Sequence, residues 1–234
     1  MKSVLSVAAI ASVVALAAVS TASGSRTAGA RACPVQDSGT CLGVLAAGTY
    51  HSGSFRPRLT FTVPGKWANY LDIPGLYLLQ PPGSKPPGNS IAGSFVGLET
   101  SVAPEASDCQ SPVRGVKRTP NAILKWMQTR RNLMVRHVHA VTLGGLRGVV
   151  VDVRTRSGGK GCLAVGATHR AAPLLVGVGP SSFDHEVAPH FAERHYLLSY
   201  KRGTLDVALV DASGGNQLAS FNKIATTFRF KLSP

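Results

Sequence analysis

The chain has 234 residues and carries 25 lysines and arginines against 11 acidic residues, a formal net charge of +14. With 44% hydrophobic residues, 25 glycines and 15 prolines, it is a turn-rich globular sequence and not a disordered one. Aromatics make up only 6%, and no basic run has stacking residues between its charges, which argues against nucleic acid as the partner.

Met1-Lys2, the apolar stretch Val4 to Val19 and the small residues Ser20 to Gly24 read as a secretory signal peptide over residues 1–22. The apolar stretch is short of the roughly 20 residues a spanning helix needs, and no second one follows, so the body is not expected to insert in a membrane. Ala30-Arg31-Ala32 offers a second cleavage site that would expose Cys33, but the aliphatic position of a lipobox is missing. Residues 23–44 read as a tether and cysteine loop, and residues 45–234 as a single domain.

Cys33, Cys41, Cys109 and Cys162 form an even set in an exported chain, which predicts two disulfides. Three connectivities are open. The short CPVQDSGTC loop favours Cys33 with Cys41, leaving Cys109 for Cys162. Zinc is the rival reading, but no CxxC pair is present.

Leu42 to Ala47 and the turn-prone LAAGTYHSGSF lead into Leu59 to Leu79, which reads as a strand, a Trp-bearing turn and a second strand. Leu59, Phe61 and Val63 alternate with Thr60 and Thr62, the period of a half-buried strand. Pro64-Gly65 and Pro74-Gly75 are turn signals, and Leu76 to Leu79 is the second strand. A Pro/Gly/Ser loop follows from Gln80 to Ile91, and Phe95 to Glu99 is a further strand. The stretch from Ser101 to Arg118 reads as irregular.

Thr119-Pro120 opens a helix, with Thr as cap and Pro at the first turn. Ile123, Leu124 and Met127 share one face, and the helix ends near Arg130-Arg131. Val135 to Leu143 and Leu146 to Arg154 form a hairpin about Gly144-Gly145. That turn sets Val138 against Val151, Ala140 against Val149, His139 against Val150 and His137 against Asp152. Cys162 to Ala167, Leu174 to Val178, Tyr196 to Ser199 and Leu205 to Val210 are short strands. Ser213 caps a last helix, and Phe228 to Leu232 alternates as a closing strand.

AAGTYHSGSFRPRLTFTVPGKWANYLDIPGLYLL, GGLRGVVVDV and the final helix running into TTFRFKL resemble exported actinobacterial proteins of unknown function, from about Leu45 to Leu232. More distantly they resemble the PsbP-like fold, which includes LpqN-type lipoproteins. That resemblance implies an α+β fold, a curved antiparallel sheet with helices packed on it, whose members mostly bind or scaffold.

Chemistry-bearing groups are sparse. Gly88 to Ala92 follows a proline-rich loop where a nucleophile elbow needs a strand. His185-Glu186 with His190 has the wrong spacing for a zinc-protease helix and reads as a solvent-facing loop. His137, His139 and Asp152 share a strand face and could hold zinc or a similar divalent ion. Arg154, Arg156 and Lys160 flank a glycine-rich turn and form a candidate anion site. No acidic pair suits glycosidic chemistry, no catalytic residue is assigned and no cofactor is expected. The expected function is an exported, non-catalytic binding or interaction domain of the bacterial envelope. Its expected partner is an anionic envelope component or another envelope protein. The alternative is a metal-dependent hydrolase built on His137, His139 and Asp152.

Overall fold

A computed structural model describes residues 41–84, 93–156, 161–163, 170–179 and 183–232. The signal-peptide reading, Cys33, the Gly88 to Ala92 segment and Lys160 therefore lie outside the described residues. Among those residues the chain forms fifteen strands and two helices. In order they are β1 (Gly43–Val44), β2 (Ala47–His51), β3 (Arg58–Pro64), β4 (Ala68–Ile73), β5 (Leu76–Gln80), β6 (Phe95–Thr100) and β7 (Val102–Pro104). Helix α1 (Pro120–Thr129) precedes β8 (Leu133–Leu143), β9 (Leu146–Thr155), β10 (Cys162–Leu163), β11 (Arg170–Gly177), β12 (Asp184–Val187), β13 (Ala192–Tyr200) and β14 (Gly203–Asp211). Helix α2 (Leu218–Ala225) and β15 (Arg229–Lys231) close the chain.

The strands build three sheets. The largest has eight strands in the order β1-β4-β5-β6-β14-β13-β9-β8, the second joins β10, β11, β12 and β7, and the third is β15-β3-β2. Every registered pairing is antiparallel. The expected α+β fold, one curved sheet with helices packed on it, is therefore corrected to a mostly-β arrangement of three sheets. The two helices have only 10 and 8 residues. The excess strand content comes from segments whose patterning hid it. β2 carries Gly48 and reads as a turn, β12 is DHEV and looks solvated, and β4 follows Trp67 without alternation.

The stretch from Leu59 to Leu79 is thus not one hairpin. Its first strand, β3, pairs with β2 and β15, while β5 pairs with β4 and β6 in the large sheet. Leu59, Phe61 and Val63 are buried as the alternation requires. Trp67 packs edge-on against Phe221 of α2, with ring centroids 5.6 Å apart.

The large sheet is covered on both faces, which explains why β13 and β14 are buried almost throughout. Alternate residues serve different cores. Tyr196, Leu198, Leu205, Val207 and Leu209 face a cluster shared with β3, α2 and Phe228. Leu197, Val151 and Val153 face a second cluster with α1 and with Leu174, Leu175 and Val187 of the β11–β12 sheet. Ala208 and Val210 join Leu76, Leu78 and Phe95 in a third.

The helix beginning at Pro120 forms with Thr119 in extended conformation at its start and Arg130 at its end, but the Thr119 side chain makes no capping hydrogen bond. Arg130 stacks over the Trp126 ring at 5.2 Å. Ser213 does not cap α2; that helix begins after Gln217, whose N–H donates to Asp211 Oδ2 at 2.6 Å. The disulfide Cys109–Cys162 forms and ties the segment before α1 to β10. Cys41 is disulfide-bonded as well, and its expected partner, Cys33, lies outside the described residues. Such bonds fit an oxidising compartment.

Candidate functional site

The β8–β9 hairpin turns at Gly144-Gly145 as expected and holds the expected register as far as His139 opposite Val150. Beyond it a β-bulge intervenes, so Arg136, and not His137, stands opposite Asp152. His137 takes a positive φ of 50° in the bulge. The extra residue re-aims the ring, and His137 Nδ1 lies 2.8 Å from Asp152 Oδ2. His139 turns its own Nδ1 to the His137 carbonyl at 3.0 Å. His137 and Asp152 are therefore brought together, and His139 is not brought to the same carboxylate.

Asp152 is already occupied. Arg194 donates from Nε to Oδ1 at 2.7 Å and from Nη2 to Oδ2 at 2.9 Å, a two-pronged pair on the neighbouring strand. Burial would raise the Asp152 carboxyl, but the Arg194 and His137 bonds hold it below its usual range. A guanidinium beside the carboxylate opposes the approach of a second cation.

Arg154 and Arg156 are exposed, and each donates to a backbone carbonyl, Arg154 Nη2 to Gly214 at 2.8 Å and Arg156 Nε to Leu133 at 3.0 Å. Each keeps further N–H donors for an anion.

A second group was missed from the sequence because its members are far apart in the pattern. β12 is a strand, and His185 is buried at 6% exposure, which corrects the expectation of a solvent-facing loop. Its Nε2 lies 2.8 Å from Glu193 Oε2, and the same oxygen lies 3.1 Å from His195 Nε2. His195 Nδ1 faces Asp206 Oδ2 at 3.0 Å. Glu193 and His195 come from β13 and Asp206 from β14, all on the face turned toward β12. Glu193 and His195 are at most 1% exposed.

Phe95 and Phe183 enclose the His185 ring, with centroids 6.0 and 6.1 Å away, and the two imidazoles stand 5.1 Å apart. Despite burial, which opposes charge, the two histidines hold the Glu193 carboxyl down at about 2. Burial likewise disfavours His195 as a cation, yet Asp206 and Glu193 raise it to about 10. Next to them Glu99, paired in register with Asp206, is pushed well above its usual range by burial, even though the Phe183 N–H donates to it at 3.1 Å. Glu193 Oε1 and Asp206 Oδ1 are buried and have no hydrogen-bond partner among the described residues. The one sequence signal was the alternation of Glu193 and His195 just before the apolar run Tyr196 to Leu198.

Charge is unevenly placed. Glu99, Glu105, Glu193, Asp206 and Asp211 are buried. Among the described residues eighteen lysines and arginines are exposed, while the exposed acidic residues are Asp108 and Asp184. Thr204 donates from its hydroxyl to the Arg118 carbonyl at 2.8 Å. That bond sets the Lys117-Arg118 pair beside the β13–β14 turn, where Lys201 and Arg202 are both exposed.

No family model matches this chain, and no curated protein matches it. Among solved structures it is similar to the solution structure of cyanobacterial PsbP (CyanoP) from Synechocystis sp. PCC 6803. The identity is 12% and the TM-score 0.38, with 82% of this chain and 98% of that chain covered.

Proposed function

We propose that the chain is an exported, non-catalytic binding domain, a single unit over residues 45–234, which meets an anionic partner of the cell envelope through its arginine- and lysine-rich surface. The observation that carries this reading is the separation of charge. The acidic groups lie mostly inside or against arginine, while eighteen lysines and arginines among the described residues are exposed. A surface of that kind draws anions from a distance and loses its pull as salt rises. Lys117, Arg118, Lys201 and Arg202 supply one group of these cations, brought together by the Thr204–Arg118 bond, with Arg154 and Arg156 as further contacts. The Cys109–Cys162 bond supports an extracytoplasmic setting.

Phosphatidylglycerol vesicles, with phosphatidylcholine vesicles as control, test the reading by co-sedimentation. The expected result is binding to the anionic vesicles alone, weakened several-fold by charge reversal at Lys201 and Arg202. Binding that persists unchanged in molar salt overturns it.

A further inference from the structure

We propose that His185, Glu193 and His195 form a buried site for a zinc-like divalent cation that clasps the β10–β12 sheet to the eight-stranded sheet, with Asp206 orienting His195. Ligand atoms of the three residues all lie within 4.8 Å of one another. The two imidazole Nε2 atoms sit 2.8 and 3.1 Å from Glu193 Oε2. Around a tetrahedral zinc with bonds of about 2.0–2.1 Å, neighbouring ligand atoms stand about 3.3 Å apart. Glu193 Oε2 would have to draw back from each imidazole nitrogen by a few tenths of an ångström to admit an ion.

Two imidazoles and a carboxylate suit zinc better than calcium or magnesium, which select all-oxygen sets. His195 also has the outer partner that metal-bound histidines need. Its Nδ1 is turned to Asp206, which fixes the ring and leaves Nε2 facing the site. Glu193 Oε1 and Asp206 Oδ1 supply the independent sign that the set is incomplete as it stands. Both are buried carboxylate oxygens without a partner among the described residues, an expensive arrangement in a dry interior. A bound cation offsets that cost.

The second convergent group, Glu105 with Cys109 and Glu186, lacks a thiolate because Cys109 is in a disulfide. The His185 group has no disulfide-bonded member. Its ligands come from two sheets and are sealed by Phe95 and Phe183, so an ion there serves the fold and is acquired as the sheets close.

The test uses the disulfide-intact chain, unfolded and refolded with zinc or cobalt(II) and then desalted. Elemental analysis should find one ion per chain, and the cobalt form should show the intense visible bands of tetrahedral coordination. H185Q and H195Q should each lose the ion, and D206N should bind it 10- to 100-fold more weakly with an unchanged far-ultraviolet spectrum. H139A should bind as the unaltered chain does. Should H195Q fail to fold, H185Q and D206N carry the same comparison. A refolded, native-like chain without stoichiometric metal overturns the proposal. So does metal retained in full by H185Q, or metal lost in H139A, which would place the ion on the exposed strand.

Discussion

Histidine stands beside a carboxylate twice in this molecule, once on the solvent side of β8 and β9 and once between β12, β13 and β14. On the outside, His137 is exposed and shares Asp152 with Arg194, so water and a guanidinium satisfy most of what the carboxylate needs. Inside, Glu193 Oε2 has two imidazoles as its partners among the described residues, and His195 turns its other nitrogen to buried Asp206. The residue types are alike, but desolvation separates them. An exposed pair contributes little, whereas a buried one is costly to break.

Removing the centre of the inner group is the strongest way to break the contrast. Glu193→Ala leaves buried His195 facing a cavity and should lower unfolding free energy by about 3–5 kcal/mol in urea titration. Replacing Cys109 and Cys162 together by serine frees the segment before α1. It should cost about 2–4 kcal/mol by the same measurement.

Glu105 sharpens the contrast through pH. It is fully buried, and burial above all, with Glu186, Asp184 and Asp108 adding repulsion, raises it to about 9 against the single opposing N–H of Leu174. The native chain holds this proton up to about pH 9, while the unfolded chain releases it above about pH 4.3. Its contribution is therefore complete at low pH and declines as pH climbs between those values, by at most about 1.4 kcal/mol per unit. Glu105→Gln should flatten that slope in unfolding curves taken at successive pH values.

Outside, Arg194→Ala removes both prongs from half-buried Asp152 and should cost about 1 kcal/mol. His137→Ala should cost under about 0.5 kcal/mol. A loss for His137→Ala equal to that for Glu193→Ala would erase the distinction.

Alternation and glycine pairs made part of this legible from the chain alone. The β8–β9 hairpin, β3, β5, β6, β14 and the Thr119-Pro120 helix start all follow from local pattern, because one face of each is apolar or one turn is unambiguous. What was not legible depends on contacts distant in sequence. DHEV reads as polar, yet becomes β12 because β11 pairs with it and the large sheet covers it. The carboxylates and histidines of the inner group lie on three strands, and no local period announces that their side chains converge. The outer group was half legible. The turn set His139 opposite Val150, but the bulge before it moved His137 out of register, and His139 turns to the His137 carbonyl.

That same irregularity bears on how copies of the chain treat one another. β8 is the last strand of the eight-stranded sheet and has eleven residues, long enough to template a foreign strand along its open rim. The two extra-spaced residues, His137 and Val138, interrupt that rim midway and twist it, with Arg136 beside them. Such a break discourages edge-to-edge stacking between molecules. Deleting Val138 would straighten the border and leave it open to pairing with the same edge of another copy.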